Sequence, residues 1–351
     1  MTAGRPIRVS FLGDTLIGGE AQDVLEREGY DYAFGGIRHL LDDSDLVVAN
    51  LEGPVTERAE PGAKHDIGRK RYWYRAHPDS LDAMRRAGIR VVSLANNHVL
   101  DYGPEGLLDT IDALDARGFE HCGAGRNRAA ARRPVQVEVR GLTFSFSSAM
   151  QRYDIYVAEQ VYAGRDRPGP ARLSPQRLSQ DLKRGESHRG VRVVLAHWGR
   201  NYRPVNGRQI RLASGIVDAG ADLIVGHHPH VPQPLRLVRG VPVAYSLGNG
   251  LLGTPGRYHS GRPPYGLVLT VDFGVDGSVL ALEVVPIKVD NSLVNFRPVV
   301  ADGAEVGPLL RDLLDPELVW GEHGGGLRAE VPAQSAVEVL ALDDAGESIE
   351  P

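Results

Sequence analysis

The chain has 351 residues, of which 42% are hydrophobic and 24% charged, enough apolar side chain to bury a sizeable core. A formal net charge of −5 argues against a nucleic-acid or anionic-membrane partner. The single cysteine, Cys122, excludes an internal disulfide and any cysteine-rich zinc site. Met1-Thr2-Ala3-Gly4-Arg5-Pro6 runs straight into an apolar segment without a signal-peptide core, and no stretch approaches membrane-span length. The expectation is a cytoplasmic protein with no stable membrane insertion.

In chain order, short β-branched runs stop abruptly at polar residues. Ile7-Arg8-Val9-Ser10-Phe11-Leu12 ends at Gly13-Asp14, and Leu46-Val47-Val48-Ala49 ends at Asn50-Leu51-Glu52. Val91-Val92-Ser93-Leu94-Ala95 ends at Asn96-Asn97-His98. The run 191–196 ends at His197-Trp198-Gly199, and 222–225 ends at Gly226-His227-His228-Pro229-His230. Apolar runs of this length read as buried strands of a largely parallel sheet. The segments between them read as helices. Residues 78–87 place Leu81, Met84 and Ala87 on one face before Gly88, and 104–117 starts with proline and stops at Gly118. Residues 209–219 repeat the scheme before Gly220.

From Val135 onward the texture changes. Residues 135–142 and 143–147 read as a hairpin, and 241–247, 267–273 and 279–287 alternate in the same manner. A second, more antiparallel sheet packed on the first is the expected assembly. The segments 57–71 and 151–170 are long irregular loops of the kind that carry function. After Asp302 come a weak helix at 308–314, the turn Gly324-Gly325-Gly326 and one last strand at 336–342. The expected division is a main domain over 1–300 and a C-terminal extension over 301–351 packed on it.

Polar groups at strand exits converge in open α/β sheets. Five exits here supply Asp14, Glu52, Asn97 with His98, His197, and His228 with His230. Carboxylates, an amide and imidazoles without thiolate suit Zn, Fe or Mn, and the set is large enough for two ions. Taken singly, Asp14 reads more readily as a turn former or N-cap, Asn97 also reads as a simple cap and His98 as a satisfied core histidine. Their conjunction favours a metal centre. Arg200, Arg203, Arg208 and Arg211 crowd the segment after His197, and Arg69-Lys70-Arg71 with Arg75 flank Tyr72, Trp73 and Tyr74. Arginine's fork suits carboxylate or phosphate, although each one alone reads as a solvated surface charge.

Six motifs occur together and in order: Phe11-Leu12-Gly13-Asp14; Asn50-Leu51-Glu52-Gly53; Ser93 to His98 with Asp101-Tyr102-Gly103; Ala196-His197-Trp198-Gly199; Gly220-Ala221-Asp222 through His230; and Ser246-Leu247-Gly248-Asn249. The chain resembles, over 7–288, the capsule-synthesis (CapA, poly-γ-glutamate) family, a branch of the calcineurin-like metallophosphoesterases. The resemblance implies a four-layer αββα sandwich with a dinuclear site between two sheets. By motif, Asp14 and His230 would hold one divalent ion (Mn, Zn or Fe), Asn97, His197 and His228 the other, and Glu52 would bridge them. His98 resembles the superfamily's proton donor to a leaving group. Asp101 either orients His98 or caps the helix that follows. Three departures stand out. Asp14-Thr15-Leu16 lacks the imidazole of the usual Asp-x-His, leaving His227 either structural or a stand-in. Asn201 replaces the glutamate of His-Trp-Gly-x-Glu-Tyr, and Gly250 replaces an aromatic after Asn249.

The expected activity is metal-dependent hydrolysis of an anionic amide, such as a γ-glutamyl bond, or of a phosphoester. Arg200, Asn201, Tyr202, Arg203 and Asn249 are the substrate-binding candidates. Two alternatives stand beside it: acyl transfer at the same centre, and a non-catalytic accessory role in capsule or poly-γ-glutamate synthesis.

Overall fold

The computed structural model describes residues 5–62, 73–184, 190–254, 258 and 264–332. The expected strand at 336–342, the run Arg69-Lys70-Arg71 and Tyr72 lie outside the described residues. Two large sheets face each other. The first has the order Trp320–His323, Gly326–Glu330, Val279–Lys288, Tyr265–Phe273, Ile7–Leu16, Leu46–Leu51, Ile89–Ser93, Glu120–Cys122. Asn249–Leu252 also pairs with Ile7–Leu16, and Val299–Val300 with Val279–Lys288. The second runs Pro232–Val238, Val241–Leu247, Leu223–His227, Gly190–His197, Leu142–Met150, Val135–Val139.

Alternation along each strand builds the layers, because successive side chains leave opposite faces. Phe11, Val48 and Val91 point inward and meet Phe144, Phe146, Val193, Leu195 and Val225 of the opposite sheet in one shared core. Leu12, Val47, Ala49 and Val92 point outward and pack under Leu81, Met84, Leu107, Ile111 and Leu114 from the helices Ser80–Arg86 and Gly103–Ala116. Val194, Ala196 and Ile224 do the same on the second sheet, against Leu178, Ala213 and Ile216 from Pro175–Arg184 and Gly207–Asp218. Helix, sheet, sheet, helix is the αββα sandwich that the resemblance implied.

The division into a parallel and an antiparallel sheet does not hold. Ile7–Leu16, Leu46–Leu51 and Ile89–Ser93 are parallel neighbours in the first sheet, whereas Gly190–His197 and Leu223–His227 are parallel neighbours in the second. The alternating strands Tyr265–Phe273 and Val279–Lys288 return to the first sheet, Tyr265–Phe273 antiparallel to Ile7–Leu16 and Val279–Lys288 antiparallel to Tyr265–Phe273. Alternation reports which faces a strand buries; it carries no information about which neighbour it pairs with. The hairpin is as expected, Val135–Val139 with Leu142–Met150, closed by Arg140 and Gly141 at φ 50° and 84°.

Past residue 300, Asp302 accepts a hydrogen bond from the Ala304 N–H and starts the helix Gly303–Leu313. The expected start at Pro308 is too late: the cap lies upstream, and the proline is inside the helix. Trp320–His323 and Gly326–Glu330 then form a hairpin that joins the first sheet, Leu282 opposite Ala329. Among the described residues, no helix is long and apolar enough to cross a membrane.

Candidate metal centre

Strand ends of both sheets deliver the candidate residues to one place. Asp14 follows a register shift between Leu12 and Asp14 against Leu46–Leu51. Gly13 is required there, since a Cβ would lie 2.1 Å from the Gly248 carbonyl oxygen. The Asp14 N–H donates to that same carbonyl at 3.0 Å. Its carboxylate is fully buried: Oδ1 accepts from Asn50 Nδ2 at 2.8 Å, and Oδ2 accepts from the His228 N–H at 3.2 Å and lies 3.2 Å from His230 Nδ1. Asn50 Nδ2 also donates to Glu52 Oε2 at 2.5 Å, so one amide links the two carboxylates. Burial pushes the Asp14 carboxyl up, but the His230 hydrogen bond, and the attraction of His230, His227 and His197 once protonated, outweigh it and leave the group below the usual carboxylate range.

His197 ends the strand Gly190–His197, held by the next residue. Trp198 is fully buried on the helix side and donates from Nε1 to the Tyr245 carbonyl at 2.8 Å. His197 Nε2 lies 2.8 Å from Asn97 Oδ1, and Nδ1 lies 3.7 Å from Glu52 Oε2. With Nε2–H donating to the amide oxygen, Nδ1 carries a lone pair towards a carboxylate. Among the described residues this buried nitrogen has no hydrogen-bond partner. Burial first, and the neighbouring His228 second, push the His197 pKa well below its ordinary value, so a proton is a poor mediator of that contact.

The turn after Leu223–His227 sets His228 and His230 against different partners. Extended chain would aim His228 and His230 the same way, but both have left-handed backbone, φ 97° and 58°, with Pro229 between. Non-glycine residues there cost about 1–3 kcal/mol each and persist where the surroundings over-determine them. The rings accordingly part: His228 lies 4.6 Å from the His197 ring, whereas His230 faces Asp14 and sets Nδ1 2.9 Å from Asn249 Oδ1. Ligand atoms of Glu52, His197 and His228 all lie within 4.8 Å of one another, and all three residues are buried. Oxygen and imidazole donors at that spacing, one of them a bare nitrogen, fit a divalent metal ion. His227 stands apart, its Nε2 3.3 Å from the Leu12 carbonyl of the first sheet.

His98 belongs to a separate pair. Its Nδ1 lies 2.7 Å from Asp101 Oδ2, and its ring stacks on Tyr74 at 4.0 Å between centroids. Asp101 is fully buried and also accepts from the Tyr74 N–H at 2.7 Å. The helix cap is Tyr102, with no side-chain capping bond, so Asp101 does not cap it.

Of the substrate-binding candidates, Tyr202 packs 5.7 Å from the His230 ring and has φ 55°, its N–H donating to the Pro229 carbonyl. Asn249 is buried and engages His230 with its oxygen and the Tyr258 hydroxyl with its Nδ2, so it steadies an imidazole. Arg200, Asn201 and Arg203 stand on exposed loop, with Arg200 close enough to act on Tyr153. Sequence reasoning gave no site role to Asn50 or Tyr74, although both fall in segments it singled out, and passed over Tyr153 and Tyr258. Asn50 sits two residues before Glu52 on the same strand face, a signal that could have found it; the tyrosines come from distant loops. A cavity of about 560 Å³ opens behind Tyr74, lined by Glu20, Glu57 and His77 and by none of the clustered imidazoles.

Residues 8–254 match the family described as bacterial capsule synthesis protein PGA_cap. The chain belongs to this family. Among its relatives, the capsule biosynthesis protein CapA of Bacillus anthracis is 34% identical over 253 residues, 69% of this chain and 59% of the relative. The PGA biosynthesis protein CapA of Bacillus subtilis (strain 168) is 31% identical, covering 69% and 62%. This family member therefore spans about three-fifths of the length of those relatives. A hypothetical protein from Thermus thermophilus shares the fold, with a TM-score of 0.51 at 20% identity, over 80% of this chain and 98% of that one.

Proposed function

We propose that this family member is a metal-dependent hydrolase acting on an anionic amide, of which a γ-glutamyl bond is the type, with a phosphoester as the competing substrate class. The observation that carries the reading is the buried set Glu52, His197 and His228, joined through Asn50 to Asp14 and His230. In this reading Asn97, His197 and His228 would hold one divalent ion and Asp14 and His230 another, with Glu52 as a further carboxylate ligand. Such ions supply Lewis acidity and lower the pKa of a water molecule.

The chain's own residues do the remainder. Asp101 accepts from His98 Nδ1–H, which fixes the tautomer and leaves Nε2 as the atom that holds or delivers a proton. Tyr74 stacks on the ring and limits its rotation. Asn249 and Tyr202 hold His230. The same arrangement serves acyl transfer when an amine replaces water.

A γ-glutamyl oligomer and an aryl phosphodiester, each assayed with added Mn, Zn or Fe, test the proposal. Turnover of the oligomer is expected, and His98→Gln should lower kcat by about 10²–10⁴-fold with metal content unchanged. Equal turnover by the variant overturns the role of His98, and turnover of the phosphodiester alone reassigns the substrate class.

A non-catalytic accessory role is the second reading, and one observation favours it. Leu16 is buried in the outer core, so the Asp14-Thr15-Leu16 segment offers no imidazole. A relative from Mycobacterium tuberculosis (strain CDC 1551 / Oshkosh), 33% identical over 263 residues, is described as a probable polyglutamine synthesis accessory protein. Metal uptake without turnover of either substrate supports that role.

A further inference from the structure

A second polar site lies on the far side of two tyrosines from the imidazoles. Arg128, Arg132, Arg167, Arg172 and Arg177 line a pocket of about 200 Å³ between the helix Arg128–Ala131, the helix Asp154–Ala158 with the segment that follows it, and the helix Pro175–Arg184. Five guanidinium groups converge in a chain whose net charge is −5. Arg132 is committed, paired with both oxygens of Asp181 at 2.9 and 2.8 Å. Arg167 is held to the Tyr162 carbonyl at 3.1 Å, and its buried Nε has no hydrogen-bond partner among the described residues. No hydrogen bond or ion pair to a described residue occupies the guanidinium groups of Arg172 and Arg177, both half-buried. Burial first, and Arg172, Arg132 and Arg128 next, push the Arg177 pKa down, the mark of a repulsion that Asp181 only partly relieves.

Two features give the pocket a direction. Tyr156 lines it and meets Tyr153 edge-on at 5.4 Å, and Tyr153 lies 6.1 Å from the His228 ring. On the other side, Arg128 and Arg132 also line a wider concavity of about 850 Å³, to which Arg133 and Arg165 contribute. The two concavities share Arg128 and Arg132, so the basic lining forms one continuous track, with Tyr156 and Tyr153 standing between it and the candidate metal centre.

We propose that this arginine track is a subsite for the oxyanion groups, carboxylate or phosphate, of an extended anionic chain whose reacting bond lies at the histidine cluster. The placement of the reacting bond rests on the function proposed above; the oxyanion site stands on its own geometry. Guanidinium forks bind carboxylate and phosphate bidentately, and a track of several suits a polymer better than a single small anion.

Calorimetric titration of EDTA-treated protein with a γ-linked glutamyl pentamer, and separately with tripolyphosphate, tests the subsite without reference to the metal centre. Binding of either anion is expected, at least tenfold weaker in R172Q/R177Q and with a shallower salt dependence. The charge-keeping R172K/R177K should lose less than its glutamine counterpart, which separates charge recognition from a folding defect. Preference for the pentamer identifies carboxylates as the natural partner, preference for tripolyphosphate identifies phosphates, and both support the subsite. Equal binding by R172Q/R177Q, or no binding of either anion by the wild type, overturns it.

Discussion

Burying Asp14, Glu52, His197, His227, His228 and His230 together costs free energy that packing alone does not return and a bound ion would offset. The cost shows in pH dependence. His197 and His227 are pushed below their ordinary value of 6.5 chiefly by burial, so they stay neutral in the folded chain while the unfolded chain protonates them. The unfolded state then binds more protons below pH 6.5, and stability falls as pH falls through that value, by up to about 1.4 kcal/mol per pH unit for each imidazole. Denaturant midpoints of metal-free protein at pH 7 and 5 check this, and His227→Gln, which removes one titrating ring, should flatten the slope. Asp101→Asn weakens the group that fixes His98, and activity should fall about 10–100-fold with the fold intact by circular dichroism. Most of these side chains were legible because each ends an apolar run. Less visible were the partners: His227 meets the Leu12 carbonyl, and Tyr74 meets His98, only after two distant segments pack.

At the scale of elements, local chemistry located the helices expected at 78–87, 104–117 and 209–219 to within two residues, whereas Gln22–Glu28, Asp154–Ala158 and Pro175–Arg184 were not foreseen. Gly207–Asp218 begins with a capping box, Asn206 accepting from the Arg208 and Gln209 N–H groups while Gln209 reaches back. Asn206→Ala should cost about 1 kcal/mol in a urea melt and leave metal content unchanged, since Asn206 touches none of the candidate ligands. Gly13→Ala is the contrasting case, because the Cβ would meet the Gly248 backbone at 2.1 Å and displace the segment that carries Asp14. A loss of roughly 1–3 kcal/mol in stability together with weaker metal binding is expected, read by melting with and without added metal. Strand partners were the illegible part. Tyr265–Phe273 alternates as an isolated antiparallel strand would, yet it pairs with Ile7–Leu16 from the opposite end of the chain, a choice made by tertiary packing.

At the scale of the molecule, two sheets converge so that one core and one polar site occupy successive levels of the same interface. Phe11 and Val48 pack against Phe146 and Val193, and further along the same strands Asp14 and Glu52 meet His197 and His228. The arginine track was invisible in the sequence because Arg128 and Arg177 stand far apart along the chain and neither lies in a motif. The basic cluster picked from sequence, Arg200 and Arg203, instead stands on exposed loop. Ions that bind only the folded state should raise the unfolding temperature, by the equivalent of about 2.7 kcal/mol at a concentration roughly a hundred times Kd. The most direct test is the metal content of protein purified without chelator, compared with His228→Ala. About two Mn, Zn or Fe ions per wild-type chain, with at least one lost in the variant, is the predicted result. A folded wild-type protein that carries no metal and takes up none on dialysis against these ions would contradict the metal centre.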